Sequence, residues 1–168
     1  NRQVHQQTAD KCGADITIAE IIQVASRLPR NKAPGPDCLP NEFFSCFATL
    51  LAPLLAEVFN SAKASGTIPS RFQDGIVSLI YKKGNRDDIR NYRPITLLNG
   101  EYKILTRILA KRMLDLVTQF LSTAQIGFVP RTFIAESTML VKLIQAHLDS
   151  EEEEAHMIFL DMEKAFDR

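Results

Sequence analysis

The 168-residue sequence has no tryptophan, 3 histidines and 3 cysteines, at Cys12, Cys38 and Cys46. The cysteines lack the close pairing of a zinc site or a disulfide framework, so we expect a reduced intracellular compartment. The scattered histidines argue against a histidine metal site or a catalytic triad. A phosphate-binding Gly-x-x-x-x-Gly-Lys loop is also absent.

Long apolar runs and net charge are missing as well. The most apolar segment, 47–59, is short and contains Pro53, so we expect no membrane span. Lys plus Arg and Asp plus Glu number 20 each, which leaves a formal net charge of +0 and no global positive field. The chain starts at Asn1 without a leader, and we expect it to be part of a longer protein.

Local patterns predict helices, one hairpin and a final strand. Thr17 and Glu20 are spaced as a capping box, which begins a helix expected to end at Pro29. Four prolines over 29–40 predict an ordered loop. The remaining predicted elements are helices 41–51, 53–64 (ended by Gly66), 101–121 and 134–149, strand 76–81 with return arm 92–98, an acidic turn 151–154, and a buried strand 157–160. Nothing repeats, and this order indicates an α+β fold.

The predicted hairpin carries Lys82 and Lys83 near its tip and Arg93 on its return arm. Guanidinium and ammonium groups on one side of such an arm suit a polyphosphate. Lysines also protect edge strands from aggregation, and local pattern alone favours that interpretation.

The helix 101–121 carries a basic stripe of Lys103, Arg107, Lys111 and Arg112. Such a stripe can follow a nucleic-acid backbone, although it is more often the solvated side of a helix. If it binds RNA, substituting Lys103, Arg107 and Lys111 should flatten the salt dependence of binding.

Asp161 ends the predicted strand 157–160. Phosphoryl transfer with two metal ions needs oxygen ligands at the end of a rigid element, and the backbone carbonyl of Met162 can add one more. A turn cap at Asp161 explains the local pattern equally well.

Six segments in a fixed order resemble the reverse transcriptase of non-LTR (LINE-type) retrotransposons. They cover about residues 28–168 and are Lys32 to Asp37, Ile80 to Gly84, Asn91 to Asn99, Tyr102 to Leu105, Ala124 to Pro130, and Phe159 to Asp167. The resemblance implies a right-hand polymerase of which this chain holds an incomplete part. The implied parts are an N-terminal extension with a helix (1–27), mostly helical fingers with a β-hairpin (28–154) and the first palm strand (155–168).

The resemblance also implies the roles of individual residues. Asp161 would be the first catalytic aspartate and would bind Mg²⁺ with the Met162 carbonyl, two ions serving the complete enzyme. Lys82 or Lys83, with Arg93, would contact the incoming triphosphate. Phe166 would lie against the nucleotide 2′-position and favour deoxynucleotides.

Template and primer would pass Lys32, Gln125 and Gly127. The family usually shows Gly-Arg after the segment ending at Pro130, whereas this chain has Arg131 and Thr132, so no role is carried over to Arg131. The implied partners are an RNA template, a DNA primer and deoxynucleoside triphosphates, in a nuclear or cytoplasmic ribonucleoprotein. We expect these 168 residues alone to be inactive.

Two other interpretations remain open at this point. An RNA-directed RNA polymerase shares the palm but typically has an aspartate where this chain has Phe166. A non-catalytic RNA-binding remnant of a retroelement would need only the basic surfaces.

Overall fold

A computed structural model describes residues 6–122, 124–127, 129, 132–152 and 154–161. The chain forms two compact units, residues 1–120 and residues 121–168. Among the described residues, no helix is both long and apolar enough to cross a bilayer.

The first unit combines helices with a two-stranded antiparallel sheet, which confirms the mixed α+β composition. Its helices are α1 (Gln6–Gly13), α2 (Ile18–Ala25), α3 (Asn41–Cys46), α4 (Ala48–Ser65), α5 (Ser70–Gln73) and α6 (Gly100–Val117). Its strands are β1 (Gly75–Tyr81) and β2 (Tyr92–Leu98), so both predicted arms of the hairpin are confirmed.

The predicted capping box at the start of α2 is present. The Glu20 N–H donates to Thr17 Oγ1 at 3.2 Å, and the Thr17 N–H donates to Glu20 Oε2 at 2.9 Å. These reciprocal bonds satisfy two N–H groups that the helix itself leaves unpaired. They also fix α2 so that Ile21 and Ala25 face the core.

The boundary between α3 and α4 was predicted at Pro53 and lies instead at Phe47. Phe47 ends α3, where its N–H donates to Phe43 O at 3.0 Å, and α4 then continues through Pro53 to Ser65. Proline removes one helical hydrogen bond. Burial of Ala52 and Phe59 on the inner side of α4 offsets that loss. Gly66 ends α4 with a φ of 67°, as predicted.

One apolar core holds the first unit together. Helix α2 packs against α4 and α6, and α3 packs against both as well. The buried apolar residues are Ile16, Ile21, Ala25, Leu28, Phe44, Ala48, Ala52, Phe59, Phe72, Ile104, Leu105 and Ile108.

Arg112 was predicted on a solvated stripe and is in fact an internal anchor, with only 8% of the residue exposed. Its guanidinium donates to both carboxylate oxygens of Glu20 at 2.8 Å. It also donates to the carbonyl oxygens of Ala14 at 2.6 Å and Asp15 at 2.8 Å. Helix α6 therefore holds the segment between α1 and α2 through one planar group with several donors.

The second unit contains helix α7 (Ala135–Glu151), close to the predicted range 134–149. The acidic run was predicted as a turn, but α7 continues through Glu151, and Glu152 then takes a left-handed conformation with φ 55°.

The predicted strand over 157–160 is not formed, and its residues are exposed, with 90% exposure at Leu160. A strand needs a hydrogen-bonded neighbour, and β1 pairs with β2 in the only sheet of the described residues. The predicted boundaries 1–27, 28–154 and 155–168 stay a prediction.

Candidate nucleotide-binding hairpin

The hairpin formed by β1 and β2 places its basic residues through a regular antiparallel register. Gly75 pairs with Leu98 at the base, and Tyr81 pairs with Tyr92 near the tip. Every residue of β1 is exposed. The hairpin therefore offers its side chains to a ligand.

The register separates the two lysines that the sequence left as alternatives. Arg93 is the direct partner of Ile80 and shares its face. The Lys82 N–H donates to Asn91 O at 2.9 Å, so the ladder continues one rung beyond β1. Since faces alternate along a strand, Lys82 shares the face of Arg93, whereas Lys83 lies beyond the ladder, in the bend next to Gly84.

Side chains of the hairpin hold its tip in one conformation. Tyr81 Oη donates to Gly84 O at 2.7 Å, and Asn91 Nδ2 donates to Asn85 O at 2.8 Å. Gly84 has a φ of 95°, and a Cβ there would lie 2.7 Å from Asn91 Nδ2. The tip accordingly needs glycine at this position.

The cations of the hairpin fall into two groups. Arg86 lies 5.0 Å above the ring of Tyr81, and Arg90 pairs with Asp88 at 2.7 Å. The side chains of the other group, Lys82, Lys83 and Arg93, are exposed and make no hydrogen bond or ion pair with the part of the chain that the structure describes. These three residues are available for an anionic ligand.

Lys32 is exposed in the loop between α2 and α3. The loop is ordered as predicted: the Cys38 N–H donates to Gly35 O at 3.0 Å, and the Leu39 N–H donates to Asp37 Oδ1 at 3.0 Å. Asn31 takes a left-handed φ of 56°, and its N–H donates to Glu42 Oε1 at 2.6 Å. The loop backbone around Lys32 is thus tied to α3.

Two carboxyl groups meet where this loop reaches the start of α6. Burial raises the pKa of Glu101, and the nearby Asp37 carboxylate raises it further, while Arg71 acts in the opposite direction. Oδ2 of Asp37 is buried, and no hydrogen-bond partner for it lies among the described residues. Burial and a neighbouring negative charge both disfavour the ionised form of a carboxyl group, so the Glu101 carboxyl holds its proton more tightly than it would in water.

This pair predicts a stability change with pH. The folded state holds the Glu101 proton more tightly than the unfolded chain does, so the stabilisation is complete below the ordinary pKa of 4.5 and is lost as pH rises through the raised pKa. We expect the free energy of unfolding of the wild type, relative to Glu101→Gln, to fall between about pH 4 and about pH 7. Urea denaturation at the two pH values measures this difference.

Glu20 provides a control because its pKa is shifted in the opposite direction to that of Glu101. Its hydrogen bond with Arg112 is the main cause that lowers its pKa to about 2, so its stabilisation is lost as pH falls below 4.5. Glu20→Gln should therefore change the pH dependence in the acid range only. Identical pH profiles for wild type and Glu101→Gln would contradict the assignment.

The second unit contains Gln125 and Gly127, the other residues predicted to lie along the template and primer. Gln125 Nε2 donates to Gly127 O at 3.3 Å, so these two residues lie together in one turn. Thr132 Oγ1 donates to the carbonyl oxygens of Ile126 and Val129, each at 2.7 Å, and closes the same segment. No sequence pattern predicted this role for Thr132.

Asp161 is exposed and forms no hydrogen bond or ion pair with the described residues. Met162 and Phe166 lie outside the described residues, as does Arg131. Within the described ranges, no group of three or more His, Cys, Asp or Glu side chains could hold a metal ion. The free carboxylate of Asp161 is suited to supply one ligand of a Mg²⁺ ion, because Mg²⁺ binds through one or two carboxylates together with water and substrate phosphates.

The chain is similar to one protein family and to several known proteins. The family described as reverse transcriptase (RNA-dependent DNA polymerase) matches residues 80–168. The chain is 30% identical over 165 residues to the Transposon TX1 uncharacterized 149 kDa protein of Xenopus laevis, with 98% of the chain covered. It is 30% identical over 158 residues to the RNA-directed DNA polymerase from mobile element jockey of Drosophila melanogaster, with 91% of the chain covered.

A third relative is the probable RNA-directed DNA polymerase from transposon BS of Drosophila melanogaster, 29% identical over 157 residues and 91% of the chain. The matched regions are small parts of these relatives, 13% of the TX1 protein and 17% of each of the other two.

Proposed function

Because the chain belongs to the reverse transcriptase family of non-LTR retrotransposons, we propose that it forms part of an RNA-directed DNA polymerase. This enzyme adds deoxynucleotides to the 3′-hydroxyl of a DNA primer on an RNA template. In the right-hand arrangement that the family implies, residues 28–154 serve as fingers and 155–168 as the first palm strand. The observation that carries the proposal is the free cationic face of the hairpin, Lys82 with Arg93.

Lys82 and Arg93 bind the triphosphate of the incoming nucleotide. Arg93 offers a planar fork for two phosphate oxygens, and Lys82 adds a mobile charge from the same face. Both groups act on charge that grows on the leaving pyrophosphate during in-line attack, so they stabilise the transition state as well as the bound nucleotide. Arg86 and Arg90 keep the tip rigid and thereby limit the entropy lost on binding.

Asp161 supplies one ligand for Mg²⁺ in the complete polymerase, with the Met162 carbonyl as a second oxygen. Bound magnesium would neutralise phosphate charge and lower the pKa of the attacking hydroxyl. The exposed carboxylate of Asp161 is free for this task. A two-ion site needs a further carboxylate, so we propose that the isolated 168 residues are inactive.

Phe166 excludes the 2′-hydroxyl of ribonucleotides, which favours a DNA product over an RNA product. The template and primer pass along Lys32, Gln125 and Gly127, within an intracellular ribonucleoprotein. A purely RNA-binding role receives less support, because Arg112 is committed to Glu20 and Lys111 donates to Gln23 Oε1 at 2.8 Å.

Substitution of the two neighbouring lysines tests the proposal. In a polymerase that contains this chain, Lys82→Ala should raise the KM for deoxynucleotides about tenfold, since one charge-assisted bond to phosphate is lost. Lys83→Ala removes the same charge from the bend beyond the ladder and should change KM less than about twofold. Steady-state primer extension on an RNA template measures both values.

Arg93→Ala should match or exceed the effect of Lys82→Ala. Arg90→Ala is not a suitable control, because Arg90 holds the tip through Asp88. Equal effects of Lys82→Ala and Lys83→Ala would show that the register does not decide triphosphate contact. Unchanged KM in Lys82→Ala and Arg93→Ala would overturn the proposed binding face.

A further inference from the structure

Asn99 lies between β2 and α6 and is one of the few buried polar residues of the described chain, with 5% exposure. Its carbonyl oxygen accepts the N–H of Lys103 at 3.2 Å, which begins the hydrogen bonding of α6. The backbone of Asn99 therefore connects the end of the hairpin directly to a core helix.

The side chain of Asn99 joins two other segments. Its Nδ2 donates to Arg71 O at 3.3 Å, and its Oδ1 accepts the N–H of Asp37 at 3.2 Å. Arg71 belongs to α5, which directly precedes β1. The bond to Arg71 thus closes the base of the hairpin, one position beyond the last rung between Gly75 and Leu98.

The loop that carries Lys32 comes close to Asn99 only because residue 35 is glycine. A Cβ at Gly35 would lie 2.5 Å from Asn99 N and 2.6 Å from Leu98 C. Both are backbone atoms, which cannot rotate away as a side chain can. The position of this loop is consequently tied to Asn99.

Among the described residues, the two strands themselves bury little surface that could fix the direction of the hairpin. All residues of β1 are exposed, and the centre of β2 is exposed as well. A two-stranded hairpin without a covered face is marginally stable in water. Its orientation must then come from its base, where Asn99 contacts α5, α6 and the loop.

We propose that Asn99 is a positioning residue that aims the hairpin, and with it Lys82 and Arg93, at the triphosphate of the incoming nucleotide. This inference rests on the proposed polymerase function. It assigns Asn99 no contact with substrate: the residue acts through the hairpin that it holds.

Asn60 offers a matched control in the same unit. Its Oδ1 accepts the N–H of Ile16 at 2.7 Å, and its Nδ2 donates to Ile16 O at 3.0 Å. Asn60 therefore also joins separate segments by two side-chain bonds, and neither bond reaches β1 or β2. Asn60→Ala should lower stability as Asn99→Ala does, without a link to the hairpin.

The first experiment is steady-state primer extension in a polymerase that contains this chain. Asn99→Ala should raise the KM for deoxynucleotides about tenfold and lower kcat/KM by at least that factor, whereas Asn60→Ala should leave both within about twofold. Asn99→Asp keeps the acceptor for Asp37 and the residue's shape but loses the donor to Arg71. It should also raise KM, and it serves if the alanine variant fails to fold.

The second experiment needs no activity and uses the 168-residue chain. Hydrogen exchange of amides in 75–81 and 92–98 should accelerate at least about fivefold in Asn99→Asp and stay unchanged in Asn60→Ala. Faster exchange in Asn99→Asp, together with no primer extension by the complete wild-type polymerase, would refute the proposed function and retain the positioning role. Equal KM values, or equal exchange, in the Asn99 and Asn60 variants would overturn the role of Asn99.

Discussion

Replacing Asp161 by asparagine in a polymerase that contains this chain is expected to lower kcat for primer extension by roughly a thousandfold or more. Asparagine keeps the shape of the side chain but lacks the negative charge that binds Mg²⁺. Loss of a metal ligand removes several kcal/mol of transition-state stabilisation, and each 1.36 kcal/mol corresponds to about a factor of ten in rate.

Asp149→Asn is the control for this change. Asp149 is an exposed aspartate of α7, and its substitution should leave kcat within about twofold. Since Asp161 has no partner among the described residues, Asp161→Asn should also leave the thermal unfolding transition unchanged. Substantial residual activity, or a large drop in the midpoint of unfolding, would show that Asp161 has a different role.

Replacing Arg112 by methionine is expected to lower the free energy of unfolding by about 3 kcal/mol. The substitution leaves the Glu20 carboxylate without its partner and removes donors from the carbonyl groups of Ala14 and Asp15. Glu20 keeps 31% side-chain exposure, so water can reach it and limit the cost. Urea denaturation with a linear extrapolation measures the change.

Arg107→Met provides the matched control on the same helix. Arg107 is exposed and unpaired within the described residues, so its replacement should change stability by less than about 0.5 kcal/mol. A double-mutant cycle with Glu20→Gln should show that the two substitutions at Arg112 and Glu20 are not additive. Equal costs for Arg107→Met and Arg112→Met would refute the anchoring role.

Elements with strong local signals could be predicted from the sequence. The capping box at Thr17 and Glu20, the stop at Gly66 and the β-branched run of β1 depend on residues that are close in the chain. The structure confirms each of them, because local hydrogen bonds and backbone preferences decide such features.

Features that depend on distant contacts could not be predicted in this way. The local pattern predicted Arg112 on a solvated stripe. Its partner Glu20 is 92 positions away, so a local pattern could not reveal the ion pair. Helix α4 continues through Pro53 because of burial in the core, and α1 and α5 had no clear local signal. The strand expected at 157–160 has apolar residues but no paired neighbour.

In the candidate site, too, residue identities could be predicted from the sequence, whereas their spatial arrangement could not. Lys82, Lys83 and Arg93 were identified from the sequence, but only the register assigns Lys82 and Arg93 to one face. Asn99 belongs to one of the segments that carry the family resemblance. Its bonds to the loop and to α5 could not be predicted, because they join segments that are distant in the sequence. The family resemblance, by contrast, was carried by short segments in order and could be recognised directly.

The most direct test is RNA-templated primer extension, comparing a polymerase that contains this chain with the 168 residues alone. We predict that the complete polymerase extends a DNA primer on RNA with deoxynucleotides in the presence of Mg²⁺, while the isolated chain adds none. Absence of templated synthesis by the complete polymerase with Asp161, Lys82 and Arg93 intact, or extension by the isolated chain, would contradict this account.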